Sequence, residues 1–185
     1  QNGAASVETE EAPRKIIDID AYDEEEPVLL NGGPGDAEFE RLFQEGRRLA
    51  RDGQHEDALR ALNEAYSLRA DVPALNKILA VLTFKERDYN RAIEILDRYL
   101  QHDPGITDFW LYLSISLKRT GEYDRALEAA TRLMEINPDR VVNLINMADI
   151  HQKLGHHDEA RDLIDRALEL DPQNRQAKSL MSSIT

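Results

Sequence analysis

His151, His156, His157 and Asp158 form the one cluster whose residue types raise the question of metal chemistry. A metal ion needs three or four such groups converging from fixed positions. Here His157 stands in an aromatic slot that recurs along the chain, as His55 does, and His156 falls in a turn. Structural histidines are therefore the expectation. The chain has no cysteine, which excludes disulfides, thiolate nucleophiles and Cys-bearing metal sites. Its serines and aspartates are scattered without a nucleophile–base arrangement. Every glycine has a place in a turn, a helix face or a linker, so no phosphate-cradling loop stands out. No catalytic residue, metal ligand or cofactor is assigned, and the sequence reads as a non-enzyme.

What positions these residues is a repeat. Ala58, Ala92, Ala126 and Ala160 stand 34 residues apart, Pro104, Pro138 and Pro172 share the spacing, and Gly53, Gly121 and Gly155 follow it with one unit skipped. A 34-residue period is that of stacked helical hairpins, which cannot bury their apolar faces singly. Leu42, Gly46 and Leu49 fall on one helix face, and Ala58, Leu62 and Ala65 on one face of the next. Gly53 is a left-handed stop between the two. Later turns are expected at 86–88, 120–122 and 154–156. Asp103-Pro104, Asn137-Pro138 and Asp171-Pro172 end one hairpin and prepare the next, since proline cannot continue the hydrogen-bond ladder. Thr107 is read as an N-cap for a helix entering at Asp108.

Charge divides the chain. The net charge is -13, which argues against nucleic acid or an anionic membrane as the main partner. Residues 1–35 hold nine acids against Arg14 and Lys15, with prolines and an Asn31-Gly32-Gly33-Pro34-Gly35 run. They read as an acidic, flexible tail and linker. Within it Ile16, Ile17, Ile19, Tyr22, Val28, Leu29 and Leu30 alternate or abut with acids, a pattern suited to an extended segment that docks. No apolar run approaches a membrane span, so no direct membrane insertion is expected. Gln1 in place of Met, followed by a polar tail, leaves the compartment unknown. It favours a mature exported, periplasmic or membrane-tethered protein over a cytoplasmic one.

In detail the chain resembles the tetratricopeptide repeat (TPR) family. The unit 107–140 carries Trp110, Leu113, Ser114, Leu117, Gly121, Tyr123, Ala126 and Pro138 in that pattern. The unit 141–174 carries Leu144, Met147, Ala148, Gly155, Ala160, Ile164, Ala167 and Pro172, with His151 and His157 in place of two aromatics. The unit 73–106 keeps Leu79, Ala80, Tyr89, Ala92, Leu96 and Pro104, but has Arg87 in the glycine slot and Tyr99 at a small position. The unit 39–72 keeps Leu42, Gly46, Leu49, Gly53, Ala58, Leu62 and Ala65 and lacks the terminal proline. The resemblance implies an all-α, right-handed α-solenoid of four TPR hairpins over 36–185, with a capping helix at 175–184 behind the 1–35 tail.

It also implies a concave groove lined by the first helix of each hairpin, with Phe43, Arg47, Arg51, Lys77, Val81, Lys85, Leu111, Ile115, Lys118, Arg119, Ile145, Asp149 and Lys153 as its main residues. With Glu40, Ala50, Ala74, Phe84, Asp108, Val142, Gln152 and their neighbours, lysine and arginine outnumber acids there, although the chain is acidic. Such a groove should prefer an extended peptide carrying acids and aliphatic side chains. Cations at helix ends are also ordinary solvated residues that suit the macrodipole. Family members that clamp a chaperone's C-terminal carboxylate resemble one another in a Lys/Asn set; Phe43, Arg47 and Ile78 occupy those slots here, so that ligand is not expected. Two readings stand. One is a protein-binding adaptor whose tail serves as tether, spacer or groove ligand within the chain or between copies. The other is a self-assembling scaffold built by tail-into-groove contacts, with a secretion or assembly chaperone as a sub-case.

Overall fold

The computed structural model describes Gly33 and residues 35–184; the tail motif from Ile16 to Leu30 lies outside the described residues. Among the described residues the regular structure is helical: α1 (Asp36–Arg51), α2 (His55–Leu68), α3 (Pro73–Lys85), α4 (Tyr89–His102), α5 (Thr107–Thr120), α6 (Tyr123–Ile136), α7 (Val141–Lys153), α8 (His157–Leu170) and α9 (Arg175–Ser183). Odd-numbered α1 to α7 are the first helices of four hairpins, and α9 follows the last.

Each hairpin turns in the same way. The backbone N–H groups of Gln54, Asp88, Glu122 and His156 donate to the carbonyls of Leu49, Thr83, Leu117 and His151, each at 2.9 Å. This five-residue closure needs a left-handed residue just before the donor. Gly53, Gly121 and Gly155 supply it at φ +75°, +86° and +80°. Arg87 adopts φ +62° in the same slot, so the turn geometry overrides the side chain's preference. One expectation is corrected: Ile106, not Thr107, is the N-cap of α5, and Thr107 opens the helix without a side-chain cap. Side-chain caps come instead from Asp88 on α4 and Asn174 on α9. Trp110 is half-buried, with its indole N–H donating to the Pro104 carbonyl at 3.0 Å.

Stacking follows a face rule. In α3 the residues Leu75, Ile78, Leu79 and Leu82 are buried, and in α5 Phe109, Tyr112 and Leu113 stand at the same repeat positions, Phe109 meeting Tyr99 of α4. The equivalent positions of α1 are Arg41, Gln44, Glu45 and Arg48, exposed and tied into pairs with Glu38 and Asp52. A polar face here lets α1 end the stack in water, as a solenoid's terminal unit must. At the other end α9 turns Ala177, Leu180, Met181 and Ile184 onto α8.

The apolar core is in two pieces. One runs from α1 to α6 and takes in Ile150 of α7, and a smaller one joins the other face of α7 with α8 and α9. Between them α7 presents buried Asn143 and Asn146, the latter donating to Ser114 Oγ at 2.6 Å.

Small residues let paired helices approach closely. A Cβ on Gly46 would lie 2.5 Å from Leu62 Cγ, and Ala126 and Ala160 are fully buried. Gly46→Ala, Ala126→Leu and Ala160→Leu are each expected to destabilise by about 1–3 kcal/mol through overpacking. Thermal melts unchanged in all three variants would contradict this packing.

Candidate binding groove

The expected groove residues divide by exposure into a buried set and a rim. Phe43, Val81, Leu111 and Ile145, expected to face a ligand, are almost wholly buried and pack beneath the surface, because neighbouring helices cover them. α3 is buried along nearly its whole length, which leaves half-buried Lys77 and exposed Lys85 as its cations at the surface. Arg51, Lys85, Arg119 and Lys153, one per hairpin and 34 residues apart, are all exposed at or beside the C-terminal ends of α1, α3, α5 and α7. Ile115 is half-buried, and Arg47 lies over the Phe43 ring with its guanidinium carbon 5.5 Å from the centroid.

Two of the expected residues meet each other. Lys118 Nζ pairs with Asp149 Oδ2 across α5 and α7, with side chains only 9% and 12% exposed. Their charges satisfy one another, so Lys118 adds little to the field felt by a ligand. At the opposite, N-terminal ends of α5 and α7 Arg140 pairs with Asp108 at 2.6 Å, and near the C-terminal end of α7 Gln152 donates to Ser183 of α9 at 2.8 Å. Sequence reasoning missed Arg140 and Asn146 and read Ser114 only as a residue of the repeat pattern. The signal was present: Asp108–Arg140 and Ser114–Asn146 are both 32 residues apart, close to the repeat length.

The histidines are placed by the same stacking. His55 sits between Glu86, at 2.7 Å, and Lys85, at 3.2 Å. His151 and His156 approach with their Nδ1 atoms 3.3 Å apart, while His157 is exposed at the start of α8. Burial, followed by the neighbouring His156, lowers the pKa of His151 and so favours the neutral form of that ring. No group of three or more His, Cys, Asp or Glu side chains is gathered for a metal among the described residues.

Repeated hairpins with uniform turns, a face rule for stacking and a cation-rimmed surface define a helical-repeat scaffold for protein contacts. The tetratricopeptide repeat model matches residues 49–110 and 117–184, and the chain belongs to that family. No curated protein matches it. Among solved structures, YrrB, described as a TPR protein with an unusual peptide-binding site, is similar at TM-score 0.72 and 16% identity, covering 80% of this chain and 76% of that one. MamA from AMB-1 is similar at TM-score 0.68 and 22% identity, covering 80% of each chain. The TPR domain of Arabidopsis OM64 gives TM-score 0.57 and 18% identity over 60% of this chain and 93% of that one. These likenesses are of fold. Among the described residues no helix is long and apolar enough to cross a membrane.

Proposed function

We propose that this TPR protein is a non-enzymatic adaptor that binds an extended, acidic and aliphatic segment of a protein partner along the concave face. The carrying observation is the exposed cation row Arg51, Lys85, Arg119 and Lys153 on a chain of net charge -13. Acids of a bound segment would meet that row, and Ile115 with the half-buried stems of Lys77 and Arg47 would take its aliphatic side chains. The 1–35 tail, acidic and aliphatic itself, serves as tether or as a ligand of the groove. The second reading is a scaffold in which tails enter the grooves of neighbouring copies, favoured by the same complementarity.

The test uses a fluorescent synthetic peptide of residues 16–30 and a permuted peptide with its acids amidated. Lys77→Glu, Arg119→Glu and Lys153→Glu combined are expected to weaken binding of the acidic peptide by at least about tenfold, as removal of favourable charge contacts does. Binding should also fall steeply with salt. Lys118 is left intact, because reversing it would bury two acids together. Equal affinity of wild type and triple variant would remove the groove reading. Light scattering that rises with protein concentration, and ceases when residues 1–30 are deleted, would favour the scaffold.

A further inference from the structure

A cavity of about 380 Å³ opens between α3 and α4, beside the α2–α3 connection at Ala70, its polar lining being Asp71, Asn76, Arg98, Tyr99, His102 and Asp103. Its origin lies in the repeat register. In the third hairpin Trp110 fills the equivalent position and donates from its indole to the carbonyl of Pro104, six residues earlier. In the second hairpin that position is Asn76, whose Nδ2 donates at 2.9 Å to the carbonyl of Ala70, also six residues earlier. Asn76 thus reproduces the hydrogen bond of the indole without its volume. Tyr99, where the other hairpins have Ala65, Leu133 and Ala167, fills part of the space and turns its hydroxyl to Asp103 at 3.1 Å. What remains is a cavity roomy enough for an aromatic side chain and part of its backbone. Asn76 is 92% buried by its 8% exposure, and its Oδ1 has no hydrogen-bond partner. An orphaned buried acceptor is costly and calls for a donor.

We infer that this cavity is a binding site for an aromatic side chain bearing an O–H or N–H donor, and that its occupant is Tyr22 of the same chain. Tyr22 is the sole aromatic residue of the 1–35 tail. Its phenol is a donor near neutral pH, available to the Asp71 and Asp103 carboxylates that line the cavity. The tail enters the domain beside the cavity: Asp36, at the start of α1, pairs with Arg69 at 3.9 Å, and Arg69 directly precedes the cavity residue Ala70. Residues 23–35 can span about 45 Å when extended, ample for a site next to their own attachment point. Tethering on that scale gives a high effective concentration, so a modest pocket is enough. The proposal rests on the reading that the tail is a ligand of the domain. It moves the anchor to the edge where first helices begin, away from the cation row at their far ends.

The test places benzoylphenylalanine at position 21 of the full chain, leaving the Tyr22 phenol intact, and maps its photo-cross-links. Cross-links within one chain to segment 70–76 or 98–103 are expected. Asn76→Trp, which restores the missing indole and keeps the bond to Ala70, should abolish them. Free indole, binding with a Kd of about 1 mM as small ring fragments do, should compete with them without any substitution. Cross-links that persist in Asn76→Trp and in saturating indole would overturn the proposal. Cross-links to Lys77 or Ile115 would overturn it while supporting the groove as the tail's site. Cross-links between chains would overturn the assignment to the same chain, and absence of any cross-link to the domain would overturn tail docking altogether.

Discussion

Asp149→Ala is expected to destabilise the protein by about 3–5 kcal/mol, lowering the melting temperature by roughly 6–20 °C for a chain of this size. Asp149 and Lys118 are nearly buried, at 12% and 9% side-chain exposure, and pair across α5 and α7. Removing the carboxylate leaves the ammonium without its partner in a place that water reaches poorly. The cost is that of the orphaned charge, not of the lost attraction alone. Lys118→Ala should show a similar loss for the mirrored reason. Lys118→Met with Asp149→Leu separates the two contributions: replacing both charges by apolar groups should be neutral or stabilising by about 1–4 kcal/mol. Calorimetry on the two singles and the double gives the coupling directly. If the double is as unstable as the singles, the pair is not an isolated buried ion pair and the surrounding polar layer holds it. Hydrogen exchange then locates the effect, since the pair, Asn146 and Ser114 lie at the break between the two cores. Faster exchange in α8 and α9 than in α3 to α5 is expected, because α7 is held by both cores and α8 and α9 by the smaller one alone.

The fold was legible because its signals repeat. A small residue at Ala58 is weak evidence alone, yet the same residue at Ala92, Ala126 and Ala160 fixes a register, and the register fixes the turns. Even Arg87 fell into place, since three glycine turns determine what the fourth must do. The groove was less legible. Periodicity says which helix face a residue occupies, but not whether the neighbouring helix covers it. Val81 and Leu111 share the groove-facing register with Ile115, yet the first two are buried and the third is half-exposed. Charges were misleading for the same reason: Lys118 counts as a groove cation in sequence and is neutralised by Asp149 in space. The missing rule is an offset. Side chains of successive first helices meet at separations of 31 or 32 residues, as Lys118–Asp149 and Asp108–Arg140 do. Those of successive second helices meet at 28, as Asp97–Arg125 and Asn63–Arg91 do, and at 32, as Tyr66–Arg98 does.

Phe109→Ala should be comparably damaging, at about 3–5 kcal/mol, and should also change how the chain unfolds. Phe109 is fully buried and meets Tyr99 of α4 edge-on, with centroids 5.2 Å apart and planes at 73°. It also contacts Tyr112 at 6.2 Å, and Tyr112 stacks on Phe84 of α3 at 4.5 Å. These rings join the second hairpin to the third, so their loss falls on an interface between repeats. Aromatic pairs of this kind contribute about 0.5–1.5 kcal/mol beyond the area they bury. In a solenoid each unit is coupled only to its neighbours, so weakening one interface lowers cooperativity as well as stability. Denaturant unfolding of Phe109→Ala is therefore expected to broaden or split, with α1 to α4 and α5 to α9 melting at different concentrations. Phe109→Leu keeps most of the volume and should cost less than about 1.5 kcal/mol with a single transition. A sharp, wild-type-like transition in Phe109→Ala would mean that the helices, not the rings, couple the two halves. The contrast between the alanine and leucine variants thus distinguishes a core residue whose worth is its volume from one whose worth is the continuity of the stack.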